Sequence, residues 1–134
     1  MNALSAAVEP ESCLPDRPRS VRILVLERDS RLRSRLVADL RSAGWDVLPA
    51  ATVRAAARMG SSEPVDLLVM SPRAARGEGL FLWSRLSRLQ AHMPIILPVS
   101  SREVAHDPAA RSELLTKVRS AVSSPIWFSH GATR

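Results

Sequence analysis

Val21–Gly44 reads VRILVLERDSRLRSRLVADLRSAG, and its two halves carry two different periods. Val21 to Glu27 is a near-continuous run of β-branched residues and leucine, the pattern of a strand covered on both faces in a parallel sheet. Beyond it the apolar residues change to helical spacing. Leu32, Leu36, Leu40 and Ala43 form one stripe at i, i+4, i+8 and i+11. Asp29 or Ser30 supplies the N-cap oxygen, and Gly44 ends the helix.

The same strand and helix pairing recurs twice. WDVLPA, Trp45 to Ala50, reads as a short second strand whose Pro49 suits a position near a sheet edge. Thr52 caps a second helix, VRAAARM, that stops at Gly60. Ser61, Ser62 and Pro64 turn the chain into a third strand, Val65 to Met70. A third helix is expected from about Leu80 to Ala91, with Leu82, Leu86 and Leu89 facing in and Arg85 and Arg88 facing out. Pro94 restarts the chain as IILPV, a fourth strand. Three such pairs and a further strand imply right-handed crossovers and an α/β, doubly wound parallel sheet. Function in such sheets gathers at the carboxyl ends of the strands, here the loops that begin at Glu27, Ser71 and Ser100.

Length and composition bound the remaining possibilities. The 134 residues suffice for one domain with a core. Residues 1–20 contain Pro10, Pro15 and Pro18 without apolar periodicity and read as a leader, residues 21–123 as the domain, and residues 124–134 as a tail. The formal charge of +6 invites a nucleic-acid reading, but the eighteen arginines and one lysine are dispersed from Arg17 to Arg134 among acidic residues. No direct nucleic-acid contact is expected from that pattern. Cys13 stands alone, which excludes an internal disulfide and a cysteine-based zinc site. His92, His106 and His130 lack ligand spacing. No apolar run approaches the ~20 residues that cross a bilayer, and the start lacks the features of a signal peptide, so a cytoplasmic protein without membrane contact is expected.

The order ILVLERDSRLRSRLVADLRSAGWDVLPAATVRAAARM, PVDLLVMS, EGLFLWSRL, MPIILPVS resembles the receiver domain of bacterial response regulators, continuously from Val21 to about Ser100. A weaker likeness returns in SELLTKVRSAV, Ser112 to Val122, which is similar to the family's last helix. The resemblance implies a flavodoxin/CheY-like sheet of order 2-1-3-4. It also implies a chemistry in which a phosphoryl group passes from a histidine kinase to an aspartate. There an acidic pair holds Mg²⁺, and a lysine and a hydroxyl bind the transferred oxygens. Glu27 falls on the first acidic position, but Arg28 occupies the second and Ser71 the acceptor. No lysine matches, and Ser100 supplies the switch hydroxyl only with a shift of one residue from Val99. Arg28 is expected to pair with Glu27 in place of the metal. Under the resemblance these departures imply a degenerate, pseudo-receiver, with no cofactor expected and its Mg²⁺ site expected to be lost. A phospho-accepting receiver would need Asp66 or Asp29 as a substitute, one at the wrong end of its strand and the other a helix cap.

The carboxyl-terminal part is also short. Only SSREVAHDPAAR, residues 100–111, occupies the space of a complete receiver's fourth helix and fifth strand, so one βα unit is expected to be missing. Pro98 points the same way, because proline suits an edge strand. In a rival threading, Asp107 and Pro108 start the fourth helix and the tail's PIWFS, Pro125 to Ser129, replaces the fifth strand.

Ser71 before Pro72 lacks the turn chemistry of a nucleophile elbow, and a capping or loop role is expected instead. Arg73 and Arg76 in RAARGEG are candidates for holding an anion. Trp45 is expected in the core. Trp83, Ile126, Trp127 and Phe128 are candidates for partner contact, with the tail's first alternative a fold back over the missing unit. The expected function is a stand-alone, non-enzymatic module that binds a kinase, a regulator or a second copy of itself in two-component or transcriptional signalling. A small DNA-associated regulator using the dispersed arginines is the alternative.

Overall fold

The computed structural model describes residues 21–90 and 93–123. The expected leader, the tail with Ile126, Trp127 and Phe128, and Cys13, His92 and His130 lie outside the described residues.

β1 (Arg22–Leu26) and β3 (Leu67–Met70) form the centre of the sheet, with β2 (Asp46–Ala50) and β4 (Ile95–Pro98) on the flanks. All three pairings are parallel, in the order β2-β1-β3-β4, as expected for a flavodoxin/CheY-like sheet. Strand alternation divides the core in two. Ile23, Val25, Val47, Leu67 and Val69 pack on one face against Leu36, Val37 and Leu40 of α1 (Ser30–Ser42). Leu24, Leu26, Leu68 and Met70 pack on the other, against Ala56 of α2 (Val53–Ser62) and Leu82 and Leu86 of α4 (Glu78–Leu89). Both faces are covered, which is why VRILVL and LLVM show no polar alternation. A single turn, α3 (Pro72–Ala75), links β3 to α4.

Two expected helix stripes are shorter than the sequence pattern. On α1, Leu36 and Leu40 are buried with Val37, whereas Leu32 and Ala43 are half-buried. On α4, Leu89 is 53 % exposed rather than inward. It is the last residue of the helix, and the adjacent Gln90 turns in instead, its side chain bonding the N–H and C=O of Val65 at 3.0 and 2.7 Å.

After β4 come the short α5 (Ser101–His106) and the longer α6 (Pro108–Val122). Asp107 caps α6, its Oδ1 accepting from Ala109 N at 3.0 Å, with Pro108 in the first turn. The helix therefore begins where the rival threading starts its fourth helix, four residues before Ser112. Its place in the fold is a different matter. Leu114 and Val118 join the α1 face, and Arg111 reaches Asp39 of α1 at 3.7 Å. A right-handed crossover from β4 outward to a fifth strand needs its helix on the opposite face, with α2 and α4, because the steps β2 to β3 and β3 to β4 already run in that direction. α6 thus occupies the side that closes the sheet over α1, and β4 is an edge strand among the described residues.

Both flanking strands carry a proline where its missing N–H costs nothing. In a parallel strand alternate residues direct both backbone groups to the same side. Ala50 O accepts from Glu27 N at 3.0 Å, so Ala50 faces β1 and Pro49 faces outward. The outward carbonyl of Val47 is taken by Arg41 Nη2 at 2.9 Å. On the other flank, Ile95 N and Val99 N donate to Asp66 O and Met70 O at 3.0 and 2.7 Å, which turns Pro98 outward.

Candidate functional site at the carboxyl ends of the strands

Glu27 follows β1 directly, and its carboxylate is occupied by protein donors. Ser101 Oγ donates to Oε1 at 2.6 Å and Asp29 N donates to Oε2 at 2.9 Å. Arg33 Nη1, from the first turns of α1, donates to the carbonyl of Glu27 at 2.9 Å and reaches that of Arg28 at 3.3 Å. One guanidinium thereby ties the whole loop to the helix. Arg28 turns away from Glu27 and lies 3.7 Å from Glu78 at the start of α4, with both side chains well exposed. The expected Glu27–Arg28 pair is replaced by this cross-loop contact, because Glu27 already has two closer donors.

Asp29 caps α1, as read from the sequence. Its Oδ1 accepts from Arg31 N at 2.9 Å and Leu32 N at 3.1 Å. The Leu32 N–H holds the carboxyl below its ordinary pKa; desolvation opposes this, and the Arg31 N–H and the charges of Arg102 and Arg31 reinforce it.

Ser71, which the resemblance sets at the acceptor position, is the N-cap of α3. Its Oγ accepts from Ala74 N at 3.0 Å, with Pro72 in the first turn. The turn consumes the backbone donors of the following segment: Ala75 N, Arg76 N and Gly77 N donate to Ser71 O, Arg73 O and Ala74 O. Arg73 and Arg76 are exposed beside this turn. Gly79 closes the loop against β3. A Cβ there would collide with Met70 Sδ and lie 2.6 Å from Ala74 O.

Ser100 caps α5, accepting from Glu103 N at 3.4 Å, and the hydroxyl that meets Glu27 belongs to its buried neighbour Ser101. Ser101 and Arg33 are the two site residues that sequence reasoning missed. A Ser-Ser pair at a strand end offers two equivalent caps, so only the place where β4 ends decides between them.

The donor set does not fit Mg²⁺. The cation needs several oxygens at near-octahedral geometry, whereas Glu27 accepts from two protein donors and the next residue, Arg28, is a cation rather than a second carboxylate. No cluster of three or more His, Cys, Asp or Glu side chains able to hold a metal occurs among the described residues. Asp66 is 1 % exposed at the amino end of β3, where Oδ2 accepts from Arg22 N at 2.8 Å, so it lies at the opposite end of the sheet from Ser71.

Two of the three tryptophans, Trp45 and Trp83, lie among the described residues. Trp83 is half-buried and donates Nε1–H to Pro94 O at 2.7 Å, pinning α4 to the entry of β4. Trp45 packs against the α1 side of the core with the Arg119 guanidinium 5.8 Å from its ring centroid. The expected core role of Trp45 is met in part, since the ring is only half-buried.

Compared with known proteins, the chain matches no protein-family model and no curated protein. No helix among the described residues is long and apolar enough to cross a membrane.

Proposed function

We propose that the chain is a receiver-like regulatory module that works by binding another protein and takes no phosphoryl group on aspartate. The observation that carries this reading is the state of Ser71. The side chain at the position of the family's acceptor is a hydroxyl engaged as a helix cap, 3.0 Å from Ala74 N. A serine so engaged offers a hydroxyl in place of the carboxylate that the family's chemistry uses, and Arg28 stands where the resemblance sets the second acidic metal ligand. The occupied carboxylate of Glu27 and the cation Arg28 add to it. Under this reading the module is cytoplasmic and non-enzymatic, and its partner is a kinase, a regulator or a second copy of the chain.

Intact mass after incubation with acetyl phosphate and Mg²⁺ tests the reading. The expected result is an unmodified chain. A labile phosphoryl adduct overturns it and moves the acceptor away from Ser71.

A further inference from the structure

A concave, basic surface carries no acidic partner among the described residues. It lies between α2 and α4, on the face away from α1. The two helices meet closely at Gly60, where an added Cβ would run into Leu86 Cδ2, so a glycine is what lets them approach. Beside that contact is a cleft of about 370 Å³. Val53 and Ala57 of α2 and Phe81 of α4 supply its apolar surface, and Arg54, Arg58 and Arg85 stand around it. Phe81 is 65 % exposed, the most solvent-open of the large apolar side chains among the described residues.

The charges on this surface have one sign. α2 contains no acidic residue, and the glutamate that follows it, Glu63, is directed to Arg22 at 3.4 Å. α4 contains only Glu78, which faces Arg28. Arg54, Arg58 and Arg85 form no ion pair with any described residue. Three guanidiniums around an exposed aromatic ring therefore make a basic, partly apolar patch with no acidic partner among the described residues.

We propose that this cleft binds an acidic amphipathic segment of a partner protein, with one or two apolar side chains set against Phe81 and Val53 and flanking carboxylates on Arg54, Arg58 and Arg85. The inference rests on the protein-binding reading above and gives that partner a chemistry. Arginine presents a planar fork that matches a carboxylate in two hydrogen bonds. Arg54 and Arg58 are one helical turn apart, so carboxylates at matching spacing on a helical or extended segment reach both. Single-stranded nucleic acid fits less well. It would stack successive bases on a series of rings, and the cleft offers one ring beside aliphatic Val53 and Ala57.

The test is fluorescence anisotropy on the full chain with three labelled probes. These are a synthetic peptide of Glu and Asp surrounding Leu and Phe anchors, an oligoglutamate of equal charge, and a single-stranded oligonucleotide. The amphipathic peptide is expected to bind best, with binding weakening as salt rises. Phe81→Ala and Arg58→Glu should each weaken it by about tenfold or more. Both side chains are exposed, so circular dichroism should be unchanged, and Arg54→Glu on the same helix gives an independent loss. Failure of the amphipathic peptide to bind overturns the proposal. Equal binding of oligoglutamate with no effect of Phe81→Ala also overturns it, as charge attraction alone. Tighter binding of the oligonucleotide, with displacement of the peptide, overturns it in favour of nucleic acid. The acetyl phosphate experiment separates the two levels. An adduct with peptide binding intact strikes the phosphorylation-independent reading and upholds the cleft, while an unmodified chain that binds no peptide strikes the cleft alone.

Discussion

The hydroxyl of Ser101 donates to Oε1 of Glu27 across 2.6 Å, joining the end of β4 to the end of β1 over 74 positions of sequence. The two residues lie on opposite sides of β3 in the sheet order, so this bond closes the carboxyl edge of the sheet above Ser71. It is a charge-assisted hydroxyl-to-carboxylate bond, shorter and stronger than a neutral one, in a part-buried position.

Ser101→Ala should therefore lower stability at neutral pH by about 1–2 kcal/mol, the range for a hydrogen bond to a charged group with some solvent access. Ser100→Ala removes only a long cap bond and should cost about 0.5 kcal/mol. Urea midpoints of the two variants rank them. Equal losses would mean that the Glu27 bond is not formed in solution.

The Asp29 cap makes stability depend on pH in one direction. Its folded pKa is lowered, so in the window between the folded and unfolded values the unfolded chain binds more protons. The contribution is fully present above the ordinary carboxylate range and is lost as pH falls through the lowered folded value. Asp29→Asn keeps an oxygen acceptor and removes the titration. The gap in urea midpoint between wild type and Asp29→Asn should narrow as the solution is acidified, and a gap that widens toward acid would contradict the assignment.

Gly79 and Gly60 offer a graded comparison. An added methyl at Gly79 meets Met70 Sδ and the backbone carbonyl of Ala74, which cannot withdraw without unwinding α3. Gly79→Ala should cost about 1–3 kcal/mol. At Gly60 the obstacle is the tip of Leu86, a flexible side chain, and the loss should be smaller. Thermal unfolding of both variants measures the order, and Gly60→Ala being the more damaging would refute the packing described for α3.

Pro98→Val returns an N–H to the outward side of β4. With Ile96 already facing outward, the strand would then present two successive residues able to pair. Concentration-dependent association is expected to rise in size-exclusion chromatography with light scattering. An unchanged elution profile would show that this edge is covered in solution.

Much of this fold was legible because its signals are local. The buried run of β1, the caps at Asp29, Thr52 and Ser71, and the alternation that sends Ile23 and Val25 one way and Leu24 and Leu26 the other all follow from neighbouring residues. What was not legible depends on distant parts of the chain. Arg28 turns to Glu78 because α4 begins beside it in space, fifty positions on. Leu89 matches the inward stripe by angle but lies at the helix end, beyond the last buried layer. The six residues of α5 are too few to show a period. Leu114 and Val118 reveal that α6 has an apolar face, but the side of the sheet that it covers is a property of the crossover, which no single helix encodes. Ser101 was hidden for the plainest reason, an identical neighbour.

The prolines on the two outer strands bear on how any partner can approach. Recognition by β-augmentation needs a row of open donors and acceptors along a sheet margin. Here one margin has its carbonyl at Val47 taken by Arg41 and no donor at Pro49, and the other loses its donor at Pro98. A ligand strand would find at most one complete pairing position before the ladder broke. Contact with other molecules is thereby directed to side chains, on the helical flanks and the loops, where specificity is set by shape and charge and cannot be borrowed from the backbone.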